Sequence, residues 1–218
     1  MISRRILAFV AIAAGAVVLT GCSDRADTPA TQGPAQVRPF KIGVMTGTIS
    51  QEEEDFGAGE LVEREYPGRV MHITYPDNFS TEVETIVAQL SGLAADPEVR
   101  VIVVGQAVPG SAAAGLKIRA TRSDVLIGFV GPHEDPGIVD AACDIAIRPD
   151  PIARAPADSV GICALTRLLV AAADNQADFR DSTTVQKYLE SVAGGPVRMR
   201  KHDPAGNQWI VTLDNVTD

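Results

Sequence analysis

The run Val99 to Val104 (VRVIVV) constrains the fold of this chain more than any other stretch. Valine and isoleucine fill every position except Arg100, so no wet face alternates with a dry one. A strand of that kind is covered on both sides, the environment of an interior strand in a parallel sheet flanked by helices. The neighbouring sequence supplies such elements in turn. Lys41 to Met45 reads as a short buried strand, Gln51 to Tyr66 as a helix, Arg69 to Tyr75 as a strand, and Ser80 to Ala95 as a helix with Val83, Ile86, Val87, Leu90 and Ala94 at helical spacing. After the central run come a small-residue helix from Ser111 to Arg122, a strand Val125 to Val130, a helix Gly137 to Ala142 and a strand Ile145 to Ile147. Repeated βα units predict a three-layer α/β/α sandwich with a parallel Rossmann-like sheet, because crossovers of one hand place helices on both faces.

The last part of the chain differs in kind. Ala157 to Ala173 is a largely apolar helix, and Thr183 to Ala193 an amphipathic one with Val185, Tyr188, Leu189 and Val192 on one stripe and Gly194 as its stop. Val197 to Lys201 and Gln208 to Leu213 flank the turn Asp203-Pro204-Ala205-Gly206-Asn207, which predicts a β-hairpin. Arg198, Arg200, Lys201 and His202 alternate with Val197 and Met199 as on the exposed face of an edge strand.

At the other end, Arg4 and Arg5 precede an apolar run from Ile6 to Leu19 that closes in Leu19-Thr20-Gly21-Cys22. The run is shorter than the roughly 20 residues that span a bilayer core. A charged start, a short apolar segment and small residues before a cysteine read as a bacterial lipoprotein signal. The expectation is cleavage before Cys22, palmitate-type acylation of Cys22, and a protein anchored to a membrane of the bacterial cell envelope, facing the extracytoplasmic side. Ser23 to Pro39, rich in Pro, Ala, Thr and Gln and without apolar periodicity, reads as a disordered tether. The expected organisation is therefore a signal at 1–21, the lipidated Cys and tether at 22–39, a Rossmann-like lobe at 40–155, and C-terminal helices and hairpin at 156–218.

Loss of the signal moves the formal charge from −9 to −11, since only Arg4 and Arg5 go with it. An acidic body argues against nucleic acid as a partner and against docking on anionic headgroups by charge. Attachment to the membrane then rests on the lipid.

In an open parallel sheet, ligands bind beyond the carboxyl ends of the strands, where helix N-termini present free N–H groups. Thr46, Thr48, Asn78, Gln106, Ser111, His133 and Glu134 follow the predicted strands at those ends and are the candidate ligand-binding residues. A ligand there is expected to be small, polar, and uncharged or anionic. The competing duty for several of these residues is helix capping: Ser50 with Glu53 fits a capping box, and Asp77, Ser80 and Ser111 sit where N-caps belong. The acid run Glu52-Glu53-Glu54-Asp55 suits a solvated helix N-terminus.

The chain contains no GxGxxG, Walker A, GxSxG or CxxC motif. His133-Glu134-Asp135 is the one compact group with metal-ligand or acid-base chemistry, and its spacing fits no metal motif. The expectation is a non-catalytic protein without cofactor or metal. Cys143 and Cys163 sit in apolar sequence and read as two buried thiols, with a disulfide as the alternative in an oxidising envelope.

The segments FKIGVMTGTISQEEEDF (40–56), HITYPDNFSTEVETIVAQLSGLAADPEVRVIVVGQAVPGSAAAG (72–115) and GPHEDPGIVDAACDIAIRPDPIARA (131–155) closely resemble an uncharacterised bacterial lipoprotein family, a domain of unknown function akin to type I periplasmic solute-binding proteins. The resemblance implies two Rossmann-like lobes around a ligand cleft. This chain is about half the length of such proteins, as though most of a second lobe between Ala155 and Thr183 were missing. Three functions fit: a lipid-anchored solute-binding-like protein, an interaction module for another envelope protein, or a shortened relative without ligand. A closed polar pocket favours the first and an exposed apolar patch the second.

Overall fold

The computed structural model describes residues 40–148, 158–175, 197–201 and 208–213, all within the compact unit Ala35–Asp218. The signal, Cys22, the tether and the expected helix Thr183 to Ala193 lie outside the described residues. The elements follow in the order β1 (Lys41–Thr46), α1 (Glu53–Glu65), β2 (Val70–Thr74), α2 (Val83–Ala95), β3 (Val99–Gly105), α3 (Ser111–Thr121), β4 (Leu126–Val130), α4 (Pro136–Ala142), β5 (Ile145–Arg148), α5 (Asp158–Asn175), β6 (Val197–Lys201) and β7 (Gln208–Leu213).

The strands form one sheet in the order β2-β1-β3-β4-β5-β7-β6. Every neighbouring pair from β2 to β7 is parallel, and β6 joins β7 antiparallel as the predicted hairpin. The hairpin thus continues the sheet beyond β5. The order reverses between β1 and β3: the chain steps from β1 outward to β2 and then returns to the other side of β1.

Alternation along the strands sorts the core into two layers. Ile42, Val44, Val101, Val103, Leu126, Val130, Ile145 and Ile147 pack with α1 and α5, including Val62, Ile162, Leu165 and Leu169. Met45, Ile102, Val104, Ile127, Phe129 and Ala146 face the other way, onto Ile86, Leu90, Ala112, Ile118 and Val139 of α2, α3 and α4. Val101 to Val104 are all at 0 % exposure, as a strand covered on both faces requires. Burial of each such side chain contributes about 1.5–3 kcal/mol before the entropy of ordering is subtracted.

Cys143 and Cys163 are not bridged and are buried in opposite layers, Cys163 with α1 and α5 and Cys143 with α2, α3 and α4, so the disulfide alternative does not hold. Burial pushes the Cys143 thiol up to about 12 and raises that of Cys163. Both are therefore expected to resist alkylation at pH 8 in the native protein and to react at once in denaturant. Rapid native labelling of either, followed by mass spectrometry, would contradict the packing.

The capping expectations at Ser50, Asp77, Ser80 and Ser111 are corrected. The N-cap of α1 is Glu52 and that of α2 is Glu82, neither with a side-chain cap, while Ser50 and Asp77 bond to one another. Ser111 is the first residue of α3 behind an N-cap Gly110, whose φ of 102° puts it in the left-handed region. Asp135 does cap α4, accepting from Gly137 N at 2.9 Å.

Candidate functional site

The carboxyl ends of β1, β2, β3 and β4 meet at the strand-order reversal, and the loops that follow them are tied together. Tyr75, at the end of β2, donates from its hydroxyl to Gln106 Oε1 at 3.2 Å. Gln106 in turn accepts on its backbone oxygen from His133 N, in the loop after β4, at 3.1 Å. Gln51, after β1, donates to the carbonyls of Pro76 and Asp77 at 3.3 and 2.9 Å. Loops separated by up to eighty residues of sequence are thus locked into one rim.

The turn after β3 carries an unusual backbone. Gln106 and Ala107 have φ of 59° and 31°, left-handed values that side chains with a Cβ rarely adopt. Such residues each cost on the order of 1–3 kcal/mol and persist where the surroundings hold them. Around Gln106 those surroundings include the Tyr75 bond to its side chain and the His133 bond to its backbone oxygen.

The seven expected ligand contacts separate in this geometry. Thr46 is fully buried; its hydroxyl donates to Gly47 O at 2.9 Å and lies 2.7 Å from His72 Nε2, so it is not open to a ligand. Thr48 is engaged with Asp77 and Ser50. Glu134 reaches to the N-terminus of α3, where Oε1 accepts from Gly110 N at 3.2 Å and Oε2 from Ala112 N at 2.7 Å. That carboxylate occupies the position an anion would take at a helix N-terminus. Ser111 is buried with an Oγ that has no hydrogen-bond partner. Asn78 is exposed in the loop after β2, while Gln106 and His133 stand at the centre of the rim.

Two acids join them. Asp55 belongs to the run expected to be solvated, but it is 2 % exposed because it shares the buried stripe of α1 with Ala58, Gly59 and Val62 at helical spacing. That spacing was the available sequence signal, obscured by the run of acids around it. A Cβ on Gly105 at the end of β3 would stand 3.7 Å from Asp55 Oδ2. Asp158, in the first turn of α5, lies so close over Gly131, after β4, that a Cβ there would come within 2.3 Å of its carboxylate oxygens. Gly131 also has a φ of 57°, so the position wants glycine twice over.

Burial pushes the Asp55 carboxyl up to about 6, with Asp158 and Glu52 adding repulsion and a hydrogen bond from Gln106 partly opposing. Asp158 is likewise raised by burial, against the pull of His133. Burial and the charges of Asp55, Glu52 and Asp158 lift Tyr75 to about 12, so it remains a neutral donor. The edge formed by these loops is therefore acidic and also carries a phenol, an amide and a histidine.

Residues 40–158 match the family described as a protein of unknown function (DUF3798), and the chain belongs to that family. An uncharacterised protein from Treponema pallidum (strain Nichols) is 37 % identical over 128 residues, a match covering 55 % of this chain and 58 % of the treponemal one. Among solved structures, that of a candidate transcriptional regulator from Clostridium difficile 630 aligns with 82 % of this chain and 51 % of its own at 17 % identity and a TM-score of 0.47.

Proposed function

We propose that this chain is a lipid-anchored, non-catalytic solute-binding-like protein of the bacterial cell envelope, which takes a small polar molecule at the carboxyl ends of its parallel strands. The observation that carries the reading is the rim at the β1/β3 reversal, where Gln106 is held at a left-handed φ by Tyr75 and His133. Ligands in open parallel sheets bind at such reversals. Strained backbone that its surroundings keep in place is a feature of ligand clamps. The membrane is reached through acylated Cys22, and this one lobe forms a wall against which a small solute, or another envelope protein, seats.

The binding reading is tested by a thermal-shift screen of the full-length protein against small metabolites. A ligand that binds only the native state raises the melting temperature, by mass action, in proportion to RT ln(1 + [L]/Kd). Gln106→Ala is expected to weaken any such ligand at least tenfold, and full affinity in that variant removes Gln106 from the site. The anchor is tested separately: Cys22→Ala is expected to abolish incorporation of a palmitate analogue and leave the precursor uncleaved. Labelling that survives the substitution rejects acylation at Cys22.

A further inference from the structure

The described structure holds one carboxylate whose burial its surroundings do not compensate. Asp55 is 98 % withdrawn from solvent, yet its Oδ2 has no hydrogen-bond partner. The oxygen of Gln106 is taken by Tyr75, which leaves only the amide N–H groups of Gln106 to support the carboxyl. The charged groups that act on Asp55 are Asp158 from α5 and Glu52 and Glu54 from the start of α1, all of them acidic. A buried polar group without a partner costs about 1–3 kcal/mol, and more when charged, so folds keep few of them without a use.

We infer that the crevice selects a protonated amine, with the free Oδ2 of Asp55 and the carboxylate of Asp158 as its acceptors. The inference rests on the crevice reading above and supplies its ligand class. An ammonium group brings three N–H donors and no acceptor, which is the complement of an unpartnered carboxylate oxygen among further acids. An anion is disfavoured twice, by those acids and by Glu134, which already fills the N-terminus of α3. A neutral polyol offers donors but leaves the repulsion between Asp55 and Asp158 uncompensated. A metal ion fits less well, since among the described residues no group of three or more His, Cys, Asp or Glu side chains is placed to hold one. This replaces the uncharged or anionic ligand that helix N-termini alone predict.

Binding of an ammonium group requires Asp55 to be ionised. With its carboxyl pushed up to about 6, affinity is expected to fall as pH drops below that value, through loss of the Asp55 charge while Tyr75 stays neutral.

The test titrates the full-length protein with butylammonium and 1,4-diaminobutane as chloride salts, with 1-butanol and 1,4-butanediol as neutral partners and sodium chloride to hold ionic strength constant. Thermal shift and calorimetry at pH 7.5 are expected to give saturable binding of the amines at least tenfold tighter than that of the matched alcohols. Asp55→Asn and Asp158→Asn should each reduce amine binding at least tenfold, and wild-type affinity should drop several-fold at pH 5. Equal responses to amine and alcohol, or amine affinity unchanged in both variants, would overturn the inference. A neutral or anionic metabolite whose binding depends on Gln106 but not on Asp55 would also overturn it while leaving the crevice reading intact. That separates the two failures.

Discussion

Gly115→Ala is expected to lower stability by on the order of 2–3 kcal/mol, the cost of forcing a methyl group into a packed interface. A Cβ at this position would stand 2.5 Å from the carbonyl oxygen of Ala142 and 3.2 Å from its Cβ, closer than packing allows. The obstacle is largely backbone at the end of α4, so no side-chain rotation relieves it. Gly57→Ala provides the control, because nothing lies within 4 Å of a Cβ there and the residue is inside α1. That substitution is expected to gain about 0.5–1 kcal/mol from helix propensity alone. Urea denaturation of the two variants reads both signs, and a Gly115→Ala protein as stable as wild type would mean that α3 and α4 do not approach this closely.

Asp55→Asn is expected to stabilise the protein at neutral pH while removing the proposed amine site. The folded-state carboxyl, at about 6, lies above its ordinary value of 3.8, so the native state holds the proton more tightly than the unfolded chain does. The stability associated with that protonation is complete below about pH 4 and is lost as pH rises toward and through 6. Above that window the charged carboxylate is a net cost, on the order of 3 kcal/mol for a shift of about two units. Asn keeps the shape without the charge, so the variant should unfold at higher urea than wild type at pH 7.5 and at similar urea at pH 4. A wild-type advantage at pH 7.5 would show that Asp55 is paired in the native state. The expected pattern is one in which a binding group is retained at the expense of stability.

Much of the fold was legible because it follows from local periodicity. The β-branched run at Val99 to Val104 needed two covered faces, and the alternating helices around it supplied them, so the parallel sheet follows from burial alone. The antiparallel pairing of β6 with β7 was equally plain from the two apolar runs and the turn residues between them in the sequence. Capping was less legible, since Ser50 and Asp77 had two uses and the meeting of the loops that follow β1 and β2 decided for their mutual hydrogen bond.

The site divides in the same way. Residues at strand ends could be named in advance because topology sends them to one edge, and Gln106 and His133 meet there through a backbone hydrogen bond. Thr46 and Glu134 share that edge but are engaged, one with His72 and the other with the N-terminus of α3. Those engagements depend on partners 26 and 22 or more residues away, which no local pattern encodes.

By itself, then, the sequence determined the strand and helix periods, the parallel sheet they require and the edge on which polar loops collect, because these depend on near neighbours and on burying apolar stripes. Only the tertiary structure decided the character of that edge. It placed Asp55 on the buried stripe of α1 beneath the end of β3 and brought Asp158 over Gly131 from α5, more than a hundred residues further along the chain. Charge repulsion and desolvation act through space, and the acidity of that edge exists only once those two helices share one face of the sheet.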